Sequence, residues 1–149
     1  MNETINQLEG LLASGFEYVS QATELELSQK PSPEKWSKKE IMGHLLDSAL
    51  NNLQRFTEIQ VEEKPYKIRK YRQDEWVEAN QYQASKIEEI VICWLALNRR
   101  IVTVMKNQTE TTLSYQIVFN GNDYADLNFL MKDYVDHLEH HLTQLTQNG

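Results

Sequence analysis

The stretch YVDHLEHHLTQL, Tyr134–Leu145, combines a helical apolar repeat with three of the four histidines of a 149-residue chain. With about 100° of rotation per residue, the apolar side chains of the helix that contains this segment, about Tyr124 to Gln147, fall on one arc. The arc consists of Leu127, Leu130, Met131, Tyr134, Val135, Leu138, Leu142 and Leu145. His141 falls inside the arc and His137 at its edge, whereas His140 points about 60° farther toward the polar side. We therefore expect His137 and His141 to face the interior of a helical protein.

Working outward from this segment, the same periodicity predicts three more helical regions, separated by loops. In chain order, the four regions run from about Glu3 to Leu27, from Ser37 through Ile59, from Asp74 to Lys106 and from Tyr124 to Gln147. Pro31 and Pro33 stop the first region, because proline cannot continue a helix. Ser37 and Glu40 read as a capping box that opens the second. The third region is either continuous or broken near Gln83.

The segment TTLSYQIVFNGNDY, residues 111–124, is the least helical part of the chain. Its β-branched and aromatic residues before an Asn-Gly pair predict an extended segment or a short hairpin before the last helix. Four amphipathic helices with substantial connections favour an all-α, four-helix bundle. No repeat or linker divides the chain, so we predict one domain over residues 1–149.

Composition excludes several classes of function. A formal net charge of −7 and a pI of about 5.1 argue against a general binder of nucleic acid or of membrane surfaces, since either needs a basic face. The only concentrated cationic run, YKIRKYR at residues 66–72, is either a solvated connector or a contact for an anionic ligand. The first residues lack the pattern of a signal peptide, and no stretch approaches the about 20 apolar residues of a membrane span. We therefore expect a cytoplasmic protein.

The single cysteine, Cys93, excludes an internal disulfide and a cysteine-rich zinc site. It lies in the apolar stretch EEIVICWLAL, residues 88–97. A buried, inert thiol is the expectation from that setting, rather than a nucleophile.

The fourth histidine, His44, lies far upstream in KEIMGHLLDSALNNLQRF, residues 39–56. It falls just outside the apolar arc of its helix, and Ser48, Asn51 and Arg55 follow along the same flank. Such a polar stripe beside a core is suited to the wall of a ligand pocket. Arg55 is either a donor for an anionic group of a ligand or one partner of a surface or interhelix salt bridge.

Two interpretations of the histidines remain open from the residues alone. Side chains four apart lie one above the other on a helix, so His137 and His141 can converge on one metal ion, with His44 as a third ligand. Alternatively, the three imidazoles only form hydrogen bonds with the backbone or with acids such as Asp47 and Asp133. Asp47 is itself either a surface charge or a carboxylate that orients a histidine.

The sequence resembles the DinB-like superfamily, and specifically its YfiT-type members. The resemblance rests on KPSPEKWSKKEIMGH at residues 30–44, its continuation to residue 56, PYKIRKYRQDEWVEANQY at residues 65–82, and DYVDHLEHHLTQL at residues 133–145. It implies a four-helix bundle in which His44, His137 and His141 bind a divalent metal, zinc or nickel. It also implies a homodimer that pairs through exposed helix faces.

Members of that superfamily include thiol-dependent transferases and metal-dependent hydrolases. The resemblance therefore implies an enzyme that acts on a small molecule, by hydrolysis or by transfer of sulfur from a low-molecular-weight thiol cosubstrate to an electrophile. The alternative is a non-catalytic bundle that binds metal for stability or serves as a dimerising module. Such a module should close the ion off with a fourth protein ligand, and the sequence offers no obvious one.

Overall fold

A computed structural model describes residues 1–147, so the last two residues of the predicted domain lie outside the described part. In chain order, the elements are α1 Asn2–Gln21, α2 Glu24–Ser28, α3 Lys38–Val61, β1 Tyr66–Lys67, α4 Gln73–Ala79, a 3₁₀ turn Tyr82–Ala84, α5 Ile87–Lys106, α6 Glu110–Leu113, β2 Gln116–Val118, β3 Tyr124–Asp126 and α7 Leu127–Gln147.

The four long helices, α1, α3, α5 and α7, form a closed ring of contacts around one apolar core. α3 packs against α5 and α7, and α1 packs against the same two helices from the other side. Trp94, Phe56 and Met131 are among the largest side chains that this core buries completely. The ring of Phe56 on α3 meets that of Tyr134 on α7 edge-on, with centroids 5.8 Å apart. The predicted four-helix bundle is confirmed.

A small three-stranded sheet precedes the last helix. β2 and β3 pair antiparallel, so the hairpin predicted around Asn120-Gly121 is confirmed. Gly121 has a φ of +57°, a conformation that glycine adopts at little cost. The sequence did not predict β1, which pairs parallel with β2. β1 is only two residues long and depends on a partner some 50 positions away, with Tyr66 opposite Ile117.

Two predicted helix boundaries are wrong, and local capping explains each. The first helix ends at Gln21, because the Thr23 side chain accepts a hydrogen bond of 3.1 Å from the Glu26 N–H and starts the separate helix α2. The last helix begins at Leu127 rather than Tyr124, because residues 124–126 form β3. The Asp126 carboxylate then accepts a hydrogen bond of 2.8 Å from the Phe129 N–H in the first turn of α7. The break proposed near Gln83 is present.

The prediction of a buried Cys93 is also wrong. Its thiol is exposed. The stretch around it is apolar on every side, but only one face of α5 packs into the bundle, and Cys93 lies on the other face. Ile90, Val91 and Trp94 occupy that packed face. Within residues 1–147, none of the helices combines the length and apolar character that crossing a bilayer requires.

Candidate metal centre

The start of α3 fixes the rotational position of His44. Ser37 caps the helix by accepting a hydrogen bond of 3.1 Å from the Glu40 N–H, and Glu40 accepts one of 3.0 Å from the Ser37 N–H. This is the predicted capping box. Seven residues after the cap, His44 points into the bundle, where its side chain has 0% exposure.

The structure brings His44 together with His137 and His141 of α7. The His44 ring centroid lies 5.3 Å from that of His137 and 4.7 Å from that of His141. The Nε2 atoms of His137 and His141 are 3.1 Å apart. One nitrogen from each of the three rings lies within 4.8 Å of the others. His140, as predicted, is exposed on the outer side of the helix.

The arrangement fits a divalent metal better than a hydrogen-bonded histidine cluster. Within residues 1–147, both ring nitrogens of His44 are buried and have no hydrogen-bond partner. Neither Asp47 nor Asp133, the acids proposed as partners, is hydrogen-bonded to a histidine there. A buried unpaired imidazole is costly. Tetrahedral zinc with Zn–N distances of about 2.05 Å separates its ligand nitrogens by about 3.3 Å, close to the spacing of the pair on α7.

Electrostatics keep the three imidazoles in the neutral form that binds metal. Burial, followed by repulsion from His141 and His137, lowers the pKa of His44 to about 3. Burial, followed by repulsion from the neighbouring histidines, lowers the pKa of His137 to about 4, and burial also lowers the pKa of His141. Near pH 7, each ring is therefore neutral and has one nitrogen with a free lone pair, and an ion at this point displaces no proton from a charged histidine.

Two residues that sequence reasoning missed complete the surroundings of the histidines. The Trp36 ring packs on His44 with a centroid distance of 4.9 Å. Gln144 places its Oε1 atom 3.1 Å from His141 Nδ1, which holds the ring with Nε2 directed at His137. Helical i, i+3 spacing is a signal that would have found Gln144. Trp36 lies in the loop before α3, and no pattern in the sequence predicts that its ring contacts His44.

The interpretation of Asp47 as a surface charge is wrong, because its side chain is only 1% exposed. Its Oδ1 atom accepts hydrogen bonds of 2.5 Å from the Tyr82 hydroxyl and 3.3 Å from the Asn80 amide. Burial raises the pKa of Asp47 to about 6. Asp47 therefore holds the segment between α4 and α5 against α3. Tyr82 can approach that closely because residue 43 is glycine, and a Cβ there would lie 2.1 Å from the Tyr82 ring.

A cavity of about 320 Å³ adjoins the histidines between α3 and α7 and reaches His137. Of the residues predicted to bind substrate, Ser48 and Arg55 line it. Asn51 lies outside the described lining, and its amide donates a hydrogen bond of 2.8 Å to the Asp47 carbonyl. Asn52 lines the cavity instead. Lys70 and Tyr71, from the cationic run after β1, contribute to the same wall.

Comparison with known proteins gives the same fold. YfiT from Bacillus subtilis, described as a probable metal-dependent hydrolase with an unusual four-helix bundle topology, matches with a TM-score of 0.86 and 22% identity, over 99% of this chain and 86% of that one. A mycothiol-dependent maleylpyruvate isomerase matches with a TM-score of 0.74 and 10% identity, over 95% of this chain and 59% of that one. A DinB-like protein from Bacillus cereus ATCC 10987 matches with a TM-score of 0.67 and 16% identity, over 98% and 88%.

No curated protein sequence matches the chain significantly. The family model of the DinB superfamily, in contrast, matches residues 7–145, which include all four long helices except the first turn of α1 and the last residues of α7. Both histidine-bearing segments lie inside that match. The chain belongs to the DinB superfamily.

Proposed function

We propose that this chain is a metal-dependent enzyme that acts on a small molecule. His44, His137 and His141 would hold one divalent ion, zinc or nickel. The reaction would be hydrolysis or the transfer of sulfur from a low-molecular-weight thiol to an electrophile. The hydrolase description of YfiT and the mycothiol dependence of the isomerase support these two chemistries.

The observation that carries the proposal is a three-histidine cluster with a cavity at its edge. Within residues 1–147, no further histidine, cysteine or carboxylate belongs to the cluster. Three protein ligands and an open position are typical of catalytic zinc sites, whereas structural sites are closed by a fourth ligand. The contact between the cavity and His137 would give a small molecule access to that position. This favours an enzyme over a non-catalytic, metal-binding or dimerising module.

A bound ion would supply Lewis-acid activation of a water or a thiol. The remaining tasks fall to side chains of the chain. Ser48, one turn after His44, offers a hydroxyl to the cavity, and Leu130 and Phe119 give the wall its apolar surface. A thiol reactant would come from outside the chain, because Cys93 lies on the exposed face of α5 and not in this cavity.

Visible absorption of the cobalt-substituted protein tests whether the position is open. We expect azide and mercaptoethanol to shift the cobalt bands with saturation, and the shift to survive in His140→Ala and disappear in His137→Ala. A thiolate charge-transfer band would favour sulfur transfer, and a response to azide alone would favour hydrolysis. Cobalt bands that neither ligand changes would indicate a closed site and support the non-catalytic module.

A further inference from the structure

The cavity beside His137 has a polar and an apolar side. Its volume of about 320 Å³ is at the lower end of the range of about 300–1,000 Å³ for small-molecule sites. The polar lining comes mainly from α3, with Ser48, Asn52 and Arg55, and from the segment after β1. Ile68, Phe119, Leu130 and Tyr134 supply the apolar part of the wall.

Arg55 is a half-buried cation without a carboxylate partner among residues 1–147. Its Nη2 donates a hydrogen bond of 2.6 Å to the Arg69 carbonyl, and its Nη1 lies 3.5 Å from Asn52 Oδ1. The guanidinium carbon sits 5.8 Å from the centroid of the Tyr71 ring. Glu58, one turn farther on, bonds instead with the Tyr66 hydroxyl. The neutral contacts position the guanidinium but leave its charge unbalanced and most of its five N–H groups unused.

The described lining carries a small positive surplus. Arg55 and Lys70 contribute two positive charges and Asp133 one negative charge, in a chain whose net charge is −7. In the metal-free protein, a monoanion neutralises that wall, whereas a dianion would leave an excess negative charge next to the Asp133 carboxylate. A planar guanidinium matches a carboxylate with two parallel hydrogen bonds.

We propose that the cavity takes a small molecule with an apolar body and one carboxylate, and that Arg55 with Lys70 forms the subsite for that carboxylate. This assignment gives a substrate class for the enzyme proposed above. Its relevance to catalysis rests on that proposed function. Arg55 lies 11 residues after His44, about three helical turns along α3. The carboxylate is therefore a remote anchor, and the opposite end of the molecule lies toward His137.

Nitrogen-15 NMR titrations of the metal-free protein test the subsite with three probes of similar length. Octanoate carries one negative charge, octanamide is its neutral counterpart, and octylphosphonate carries up to two. We expect octanoate to bind at least about tenfold more tightly than octanamide and more tightly than octylphosphonate. The Arg55 side-chain N–H resonances should shift with octanoate.

Variants assign the preference to Arg55. Arg55→Gln should remove the advantage of octanoate over octanamide, and Arg55→Lys should retain part of it. Arg99→Gln, on an exposed site of α5 that lines a different groove, is the matched control and should keep the full preference. If Arg55→Gln does not fold, Lys70→Gln replaces it, because Lys70 is exposed. This variant should lose part of the preference for octanoate over octanamide.

Equal affinities for octanoate and octanamide in the unaltered protein would overturn the proposal. A preference that persists in Arg55→Gln, or in Lys70→Gln where that variant decides, would overturn it as well. Tighter binding of octylphosphonate would overturn the assignment to a carboxylate. The titrations use metal-free protein, so their outcome is independent of metal content. A carboxylate subsite in a chain that binds no metal would refute the proposed enzyme and leave the subsite in place.

Discussion

Replacing Gly43 by alanine should destabilise this protein, although the same change in a solvent-facing helix is normally stabilising. Gly43 precedes His44 on α3. A Cβ at this position would lie 2.1 and 2.2 Å from two ring atoms of Tyr82 and 2.8 Å from its Cβ. These separations are far below van der Waals contact, and the three atoms belong to the root of a buried side chain. Tyr82 therefore has to move as a whole.

The magnitude follows from what that movement breaks. Overpacking a well-filled core costs about 1–3 kcal/mol. Displacing Tyr82 also removes its 2.5 Å hydrogen bond to the buried Asp47 carboxylate, and hydrogen bonds to charged groups contribute about 1.5–3 kcal/mol. Alanine recovers about 1 kcal/mol of helix propensity over glycine. We expect Gly43→Ala to lower the free energy of unfolding by about 1.5–5 kcal/mol.

Urea denaturation at pH 7 measures this difference, and the chain provides a matched control. Gly10 lies in the middle of α1, where a Cβ would have no neighbouring atom within 4 Å, so Gly10→Ala should raise the free energy of unfolding by up to about 1 kcal/mol. In a Tyr82→Ala background, the penalty at residue 43 should shrink, because both ring contacts are removed and only the 2.8 Å contact with the Cβ of residue 82 remains. A Gly43→Ala protein as stable as Gly10→Ala would refute the described packing of Tyr82 on α3.

Three shorter predictions concern other parts of the molecule. The first concerns pH and uses protein in EDTA. The unfolding free energy of the unaltered protein minus that of His44→Leu should decrease by about 1.4 kcal/mol for each unit that the pH falls below 6.5. The sign follows because the unfolded histidine binds a proton near its ordinary pKa, while the folded one stays neutral down to about 3; a pH-independent difference would contradict this. Cys93 should react with Ellman's reagent in the folded protein almost as fast as in urea, because it is exposed, and strong protection would contradict that placement. Light scattering should give a homodimer of twice the 17.5 kDa chain mass, and the mass of a single chain would refute the expected pairing.

The sequence predicted the bundle and its histidine cluster for identifiable reasons. Apolar repeats decide which helix face is buried, and that pattern placed His137 and His141 at the interior from local information alone. Placing His44 beside them required knowing how α3 packs against α7 across three intervening helices, and the family resemblance supplied that arrangement. Ser48 and Arg55, which line the cavity, were predicted as substrate-binding residues because they follow His44 on one helical flank.

Contacts between distant, non-periodic segments were not predictable in the same way. The burial of Asp47 depends on Tyr82, 35 residues later. Tyr82 lies in a short 3₁₀ turn that no periodic pattern predicts. The β1 strand depends on a partner beyond α5. Cys93 was misplaced for a different reason: the apolar run around it suggested burial on every face, and only the packing of α5 decides which face is covered.

Metal analysis by inductively coupled plasma mass spectrometry tests the central claim most directly. The protein should be purified without an affinity tag, together with His44→Ala, His137→Ala and His141→Ala, and with His140→Ala as the control on the exposed side of α7. We predict close to one divalent ion per chain in the unaltered protein and in His140→Ala, and loss of the ion in the other three variants. No bound metal, even after reconstitution with zinc, nickel and manganese, would contradict the metal centre and leave the three histidines as a structural cluster.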